Sequence, residues 1–272
     1  MGTVAMHKPK FGEQRLALRE VSAPERMLFQ TMGIVDPAHY LHSLYFRQAI
    51  AKWKNFHPRA ILDAGCGRGD YSFYLARLFP DAQIYAVDID EARVERNRRV
   101  ADRLGLDNIS FQVADLVTAR FPTEFDLIIS IDVLEHIAEQ EKALRNLCNQ
   151  LSPEGRVFFH IPTVRERPVP FSRALKGFHE WAEKEHVAEE RSAGDFLELM
   201  KRTGYAIRRS NRTFGYYTGE LATSLFNLPY QNTLRNKIVQ AMLSPVCRVL
   251  ALADVLGLER TRYALATEAS RA

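Results

Sequence analysis

The chain has 272 residues, a length that suits one large α/β domain with additions, or one domain plus a small cap. Apolar residues make up 46% and charged residues 26% of it, ordinary values for a soluble globular protein with a real core. The formal net charge of +4 is too small an excess to argue for nucleic-acid binding by itself. No uncharged apolar run reaches the roughly 18 to 20 residues of a membrane-spanning helix. The three cysteines are far apart and lack metal-ligand spacing, so we expect a reduced, cytoplasmic setting.

The N-terminal part of the chain predicts an arm and then a helix. Residues 1 to about 35 are mixed in composition and indicate a loose arm or a short helix. From residue 36 to about residue 56, apolar side chains recur every three to four positions. This spacing is typical of an amphipathic helix that packs on the next part of the chain, with Asp36 as its N-cap.

A short buried strand at 61–62 leads into an acidic residue, Asp63, and three alternating glycines, Gly65, Gly67 and Gly69. Glycines at this spacing let the backbone turn tightly and approach a ligand, although many plain connecting loops are also rich in glycine. A nucleotide diphosphate would favour a third glycine one position later, and the charge of Asp63 would oppose it. A ligand that carries positive charge, such as S-adenosylmethionine with its sulfonium and ammonium groups, fits this segment better.

The segment 63–69 resembles the first motif of the class I S-adenosylmethionine-dependent methyltransferases. The next strand, predicted at 82–87, ends at Asp88, about twenty residues after Gly69. Nucleotide sites of α/β proteins place an acid near this spacing, and a carboxylate can accept two hydrogen bonds from a vicinal diol. Asp88 is therefore the predicted partner of the ribose hydroxyls.

The resemblance implies further cofactor contacts along the chain. A third strand, predicted at 108–113, is followed by Asp115 and Leu116, which would receive the adenine through a carboxylate and a backbone amide. The alternative for Asp115 is that it only caps a turn. Related enzymes commonly carry a helix before the first motif, so Arg47 is a candidate partner for the cofactor carboxylate. The alternative for Arg47 is a solvated surface arginine. The remaining predicted cofactor contacts are Asp63, Gly65, Cys66, Gly67, Ile89 and Ile131.

Three strand-and-helix units in register, each with an acid where its strand ends, favour an open parallel sheet whose ligand binds beyond those ends. The apolar run 125–131 predicts a central strand covered on both faces, and 132–137 resembles the fourth motif of small-molecule methyltransferases. A turn at 152–155 precedes the predicted fifth strand. The resemblance implies an α/β fold with a Rossmann-like, seven-stranded, mostly parallel sheet and helices on both faces. The predicted fold also contains an N-terminal helical arm and a helical insertion before the last strand.

Beyond the common core the chain predicts two insertions. Residues 218–258 repeat apolar side chains at helical spacing, with a break where Ser244 and Pro245 would start a second helix. These helices could pack wholly on the domain, form a lid over an apolar acceptor, or rest on a membrane surface. The resemblance makes 261–267 the seventh strand, antiparallel at the edge of the sheet. The predicted organisation is an arm and helix at 1–56, a cofactor-binding core at 57–162, an acceptor-site insertion at 163–190, a continuation of the core at 191–217, a helical insertion or lid at 218–258 and the last strand of the core at 259–272.

The chemistry of methyl transfer indicates which side chains to seek. Transfer from a sulfonium disperses positive charge, so a site that excludes water and aligns the two reactants supplies much of the acceleration. We expect no metal. An oxygen or acidic-carbon acceptor must also lose a proton, for which a histidine is the natural base. His160, at the carboxyl end of the predicted fifth strand, and His186, in the insertion, are the predicted bases. A site in which neither serves is the alternative.

Together these features predict a methyltransferase that acts on a bulky, partly apolar small molecule such as a lipid, a quinone-like ring or a secondary metabolite. The histidines favour O-methylation. Two other functions stay open: an RNA methyltransferase, suggested by the pI near 9.0, and a non-catalytic S-adenosylmethionine-binding subunit. We expect a cytoplasmic protein whose partner is a lipophilic acceptor rather than nucleic acid. Peripheral membrane contact through 218–258 is an open alternative.

Overall fold

The computed structural model describes residues 11–17, 26, 29, 37–53, 55–164, 191–227, 234–258 and 261–272. The strands are β1 Ala60–Ala64, β2 Gln83–Asp88, β3 Ile109–Val113, β4 Phe125–Ile131, β5 Leu151–Pro162, β6 Tyr205–Gly215 and β7 Arg262–Arg271. The helices are α1 Pro37–Ala51, α2 Asp70–Leu78, α3 Glu91–Leu104, α4 Gln140–Asn149, α5 Ala193–Arg202, α6 Leu221–Asn227 and α7 Leu234–Val255. The shorter elements are 3-10 helices at Glu13–Ala17 and Leu134–His136 and a π-helical turn at Tyr216–Glu220.

The strands form one seven-stranded sheet in the order β3-β2-β1-β4-β5-β7-β6. The first five strands pair in parallel, and β7 runs antiparallel to both of its neighbours. The predicted mostly parallel, Rossmann-like sheet is confirmed. The predicted edge position of the last strand is wrong, because β7 inserts between β5 and β6 and leaves β6 at the edge. Most residues of β7 are buried, as expected of a strand with neighbours on both sides.

Two apolar layers cover the sheet, one on each face. Consecutive strand residues point to opposite faces, so Ile61 belongs to one layer and Leu62 to the other. Helices α1, α2 and α3 cover the first layer, where Phe46 of α1 is fully buried. Helices α4 and α5 cover the second, where Phe196 is 1% exposed. The predicted arrangement of helices on both faces follows from this alternation.

Helix α3 has the bounds that its capping residues predict. The side chain of Asp90 accepts hydrogen bonds from the backbone amides of Ala92 and Arg93 at 2.9 and 3.2 Å. At the other end Gly105 adopts a left-handed conformation with φ of 60°, which glycine reaches without steric cost. Local chemistry therefore fixes this helix at both ends.

The turn predicted at 152–155 is wrong, because these residues belong to β5, which begins at Leu151. The pairing of β5 with β4 shifts near the start of β4, so the extra residues are absorbed as an irregularity in the ladder. Asp36, the predicted N-cap of α1, lies outside the described residues, as does the insertion at 163–190 from residue 165 onwards.

The predicted break at Pro245 is also wrong, because α7 runs unbroken past this residue. A proline inside a helix removes one backbone donor, and the ring of Pro245 lies on the exposed side. On the opposite side Cys247, Ala251 and Asp254 are fully buried, so tertiary packing holds the helix together across the proline. Among the helices that the structure describes, none is long and apolar enough to cross a membrane.

The buried carboxylate of Asp254 fastens α7 to the rest of the domain. Its oxygens accept hydrogen bonds from the hydroxyls of Tyr45 and Thr218 at 2.6 and 2.5 Å. They also accept from the backbone amides of Phe214 and Gly215 at 3.2 and 2.7 Å. These donors replace water around a charge that is fully buried. The C-terminal part of α7 is thereby fixed to α1 and to the end of β6.

Candidate functional site

The turn between β1 and α2 brings bare backbone to the carboxyl edge of the sheet. Gly65 and Gly67 have positive φ angles of 87° and 50°, which residues with a Cβ rarely adopt. A Cβ at Gly65 would lie 2.4 Å from both Cγ atoms of Val133, whereas a Cβ at Gly67 would meet no described atom within 4 Å. The turn is therefore packed against Val133 on one side and open at Gly67, where a ligand can approach the backbone.

Asp88, the last residue of β2, holds this turn in place. Its Oδ2 accepts the amide hydrogen of Gly67 at 2.7 Å, and its Oδ1 accepts that of Asp90 at 3.0 Å. Asp88 is 8% exposed, so the carboxylate reaches the surface only at the edge of the sheet. Each carboxylate oxygen has two acceptor positions, so both oxygens retain capacity for a hydroxyl. The predicted ribose partner thus also fixes the backbone that a cofactor would contact.

Asp63 is buried beside the turn and accepts a hydrogen bond from the hydroxyl of Ser72. Burial raises the pKa of Asp63 to about 7; the Ser72 bond opposes this shift, and the charges of Asp88 and Asp70 add to it. Asp63 can therefore change its charge near neutral pH, and a cation bound nearby would favour the ionised form. Burial also raises the pKa of the Cys66 thiol, which fits a small packed residue rather than a nucleophile.

The other predicted cofactor contacts on the strands share this edge. Strands β3, β2, β1 and β4 are consecutive neighbours, so their carboxyl ends bring Ile89, Asp115 and Ile131 to the side of the turn. Ile89 is 74% exposed. Asp115 is also exposed, and its Oδ1 accepts the amide hydrogen of Val117 at 2.8 Å, while Leu116 is buried. Their roles toward a cofactor stay predictions.

Arg47, the predicted partner of the cofactor carboxylate, contacts the helix that follows the turn. Its exposed side chain hydrogen-bonds the hydroxyl of Tyr74 on α2. Nearer the start of α1, the Nε2 of His39 accepts a hydrogen bond at 2.8 Å from Arg68, which belongs to the turn. The predicted role of Arg47 stays a prediction, and His39 is the side chain of α1 that contacts the turn.

A second cluster lies at the end of β4, where Asp132 joins two histidines. Its Oδ1 accepts a hydrogen bond from Nδ1 of His160 at 2.6 Å, and its Oδ2 lies 3.0 Å from Nε2 of His42. Because a carboxylate can only accept, Nδ1 of His160 carries a proton. The Nε2 of a neutral His160 then accepts from the hydroxyl of Thr213, which is 2.9 Å away.

Burial and mutual attraction set the charges of this cluster. His160 is 2% exposed, whereas the side chain of His42 is 12% exposed. Burial alone would raise the pKa of Asp132, but His42 and His160 outweigh it and hold that pKa well below its usual range. Burial, with the Asp132 charge, raises the pKa of the neighbouring Glu135 well above its usual range. Asp132 also has a positive φ of 51°, a strained conformation of a kind that recurs at functional sites.

This cluster has the composition of a proton-accepting unit. A neutral histidine can take a proton near neutral pH, and the Asp132 carboxylate would stabilise the imidazolium that forms. The ligand atoms of His42, Asp132 and His160 also lie within 4.8 Å of one another, close enough to hold a metal ion. The hydrogen bond between His160 and Asp132 and the close approach of His42 to Asp132 account for their positions without an ion.

Sequence reasoning predicted His160 but missed the two residues beside it, His42 and Asp132. His42 could have been recognised together with His39, because side chains three positions apart share one face of a helix. Asp132 is harder to recognise, since its position beside His160 appears only once β4 and β5 are paired. His186, the other predicted base, lies outside the described residues.

Comparison with known proteins places these features in a family. Residues 58–210 match a family model described as a methyltransferase domain. The ubiquinone biosynthesis O-methyltransferase of Coxiella burnetii is 27% identical over 170 residues, which cover 58% of this chain and 70% of the relative. A protein of Oryza sativa subsp. japonica named "Probable tocopherol O-methyltransferase, chloroplastic" is 34% identical over 102 residues, which cover 37% of this chain and 28% of that protein.

A solved structure shares the fold over nearly the whole chain. The geranyl diphosphate C-methyltransferase of Streptomyces coelicolor A3(2), in complex with Mg²⁺, geranyl diphosphate and S-adenosyl-L-homocysteine, superposes with a TM-score of 0.60. The match covers 97% of this chain and 89% of that one at 14% identity, which is evidence for the fold alone. This chain spans about a quarter of the length of the first curated relatives it matches, 24% and 28%.

The raised pKa of Asp63 predicts how stability depends on pH. The folded state holds a proton on Asp63 up to about pH 7, whereas an aspartate in the unfolded chain loses its proton at about pH 3.9. The ionisation of Asp63 therefore lowers the free energy of unfolding progressively as pH rises between these two values. The full loss is present above the higher pH. Replacing Asp63 with Asn removes this cost, so Asp63→Asn should gain free energy of unfolding relative to the parent protein as pH rises from 5 to 8, by about 1.4 kcal/mol per pKa unit at most.

Urea unfolding of the cofactor-free proteins at several pH values measures this difference. The control is Asp102→Asn, which changes an exposed carboxylate on α3. Its difference from the parent protein should stay flat over the same pH range. Equal pH profiles for Asp63→Asn and the parent protein would contradict the assignment.

Proposed function

The chain belongs to the class I S-adenosylmethionine-dependent methyltransferases, and we propose that it transfers the methyl group of this cofactor to a small-molecule acceptor. The observation that carries the proposal is the open backbone at Gly67, held by Asp88 at the carboxyl edge of the sheet. Exposed backbone lets the cofactor come close, and an acidic surrounding suits a ligand with positive charge. The family match covers this whole region.

In the proposed complex the strand ends divide the contacts with the cofactor. Asp88 accepts hydrogen bonds from the two ribose hydroxyls with the acceptor positions that its backbone partners leave. Asp115 and Leu116, after β3, receive the adenine. The backbone of 65–67 lies along the amino-acid part, near Asp63, whose ionised form the sulfonium and ammonium charges would favour. Ile89 and Ile131 supply apolar contacts, and Arg47 is the candidate partner of the cofactor carboxylate.

The proposed acceptor is a bulky, partly apolar small molecule, with oxygen as the favoured atom. Ubiquinone and tocopherol appear in the names of curated relatives that are O-methyltransferases, which supports such an acceptor here. Other relatives and neighbours are named as N- and C-methyltransferases, so the choice of oxygen rests on the histidine cluster. An acceptor of this kind dissolves in membranes, and the proposal includes a peripheral position at a membrane.

His160 is the proposed base within the described residues, acting as one unit with Asp132 and His42. A hydroxyl attacks a methyl group more readily when a base removes its proton during the transfer. Asp132 orients the His160 imidazole through its protonated Nδ1, lies 3.0 Å from Nε2 of His42, and would stabilise the charge that either imidazole gains. His42 is the more exposed of the two and therefore the easier for an acceptor to reach. His186 stays the candidate outside the described residues.

Asp88 gives the sharpest test of the cofactor site. Replacing Asp88 with Ala removes the acceptors for the ribose hydroxyls and also releases Gly67. We expect the affinity for S-adenosylmethionine to fall about 10- to 100-fold, because a hydrogen bond to a charged group contributes about 1.5–3 kcal/mol. Isothermal titration calorimetry measures the dissociation constant. Asp90→Ala is the matched control: it removes an N-cap two residues away and should leave the affinity within about twofold while it destabilises α3 by about 1 kcal/mol. Equal affinities for Asp88→Ala and this control would count against the site.

Transfer itself is tested by incubating the protein with methyl-labelled S-adenosylmethionine and separated cell lipids, small metabolites and RNA. We expect label in the lipid or small-metabolite fraction, at an oxygen that mass spectrometry can assign. Label in RNA alone would overturn the proposal. Tight cofactor binding without label in any fraction would favour a non-catalytic subunit instead.

The base is tested on the labelled acceptor with three histidine variants, His42→Gln, His160→Gln and His186→Gln. A general base contributes about 100-fold or more, so the variant that removes it should lower kcat by that factor and leave cofactor affinity unchanged. His57→Gln, at an exposed position before β1, is the control and should keep the parent rate. A variant that loses both rate and cofactor affinity has a structural role, and full activity in all three would exclude His42, His160 and His186 as the base.

A further inference from the structure

Helix α7 is apolar on two opposite sides. Its inner side includes the buried residues Cys247 and Ala251, while its solvent side carries large apolar side chains at intervals of three or four residues. These side chains, here termed the apolar face, are Val239 (37% exposed), Met242 (75%), Val246 (53%), Val249 (67%), Leu252 (46%) and, one residue past the end of α7, Leu256 (75%). A soluble surface helix normally presents polar residues to water on this side. The apolar face is therefore a surface suited to an apolar environment.

The charges along α7 suit an anionic partner. Between Val239 and Leu256 the sequence contains two charged residues, Arg248 and Asp254. Asp254 is fully buried among its hydrogen-bond donors, and the guanidinium of Arg248 lies over the ring of Tyr40 at 5.2 Å. Arg235 and Lys237 lie near the start of the helix, and no residue of α7 other than Asp254 is acidic. An apolar helix face accompanied by basic residues only is typical of segments that lie on anionic lipid surfaces.

The position of α7 links this face to the candidate site. Asp254 bonds the hydroxyl of Tyr45 on α1 and the amide of Phe214 at the end of β6. The ring of Phe214 in turn lies 4.6 Å from that of His42 and 5.7 Å from that of His160. Few side chains therefore separate the solvent-facing helix from the histidine cluster.

We propose that the apolar face docks on the surface of an anionic lipid bilayer, with α7 lying in the interfacial plane. The helix would enter about 5–10 Å deep with the apolar face among the acyl chains, and the basic residues near the start of its sequence favour anionic headgroups. A docked helix would hold the histidine cluster close to the membrane, which, given the proposed function, is where a lipophilic acceptor is dissolved. Docking itself requires only the face and the charges.

The test is co-flotation of the full chain with vesicles of phosphatidylcholine containing about 30% phosphatidylglycerol, and with phosphatidylcholine alone. We expect the chain to float with the anionic vesicles and more weakly with the neutral ones. In the double variant Met242→Glu/Val249→Glu, binding to anionic vesicles should fall at least about tenfold, because two charges must enter the interface. Both side chains are largely exposed, so thermal unfolding should stay near that of the parent protein.

The matched control is Arg99→Glu, which lowers the net charge by the same amount at a 59% exposed side chain on α3. It should keep vesicle binding within about twofold of the parent protein. A parent chain that does not float, or a double variant that floats as well as Arg99→Glu, would overturn the proposal. A dimer that the double variant abolishes, without vesicle binding by the parent, would assign the face to a second copy instead. Unchanged S-adenosylmethionine affinity in the double variant separates a failure of docking from a failure of the proposed function.

Discussion

The hydrogen bond from the Gly67 amide to Asp88 couples the glycine turn to the sheet. The glycines of this turn have positive φ angles, and a backbone rich in glycine has many accessible conformations when nothing holds it. Ordering such a turn on binding would cost conformational entropy. Here β2 is paired on both sides, so Asp88 presents its carboxylate from a fixed strand end. Val133 closes the other side of the turn against Gly65. The binding surface is therefore formed before a ligand arrives, which lowers the entropic cost of binding.

The acids around this edge have different protonation properties because their neighbours differ. Asp63 is buried and has other acids near it, and together these effects raise its pKa to about 7. Asp132 lies between two imidazoles, which lower its pKa, and its charge helps to raise the pKa of Glu135. A cationic cofactor next to Asp63 would favour loss of its proton, whereas Asp132 stays negative throughout. Under the proposed function, Asp63 would respond to the charge of the cofactor, whereas Asp132 would support the histidines that accept a proton.

The parts of the fold that depend on local chemistry were predictable from the sequence. The bounds of β4 and α3 follow from an apolar run and from capping by Asp90 and Gly105. Features that depend on distant partners were not. Proline at 245 predicts a break, yet packing on the opposite side of α7 overrides it. The histidine cluster combines residues from α1, β4 and β5, and only the paired sheet and the docked helix bring them together.

An apolar acceptor would require two properties of a methyltransferase, and helix α7 contributes to both. The transfer needs a dry site with a fixed base, and the acceptor needs a route from a medium in which it dissolves. Through Asp254 the inner side of α7 stabilises α1 and the end of β6, which carry His42 and Thr213. Its outer side is apolar where a helix serving only the core would be polar. One helix can therefore order the histidine cluster and also set the face through which the acceptor would enter.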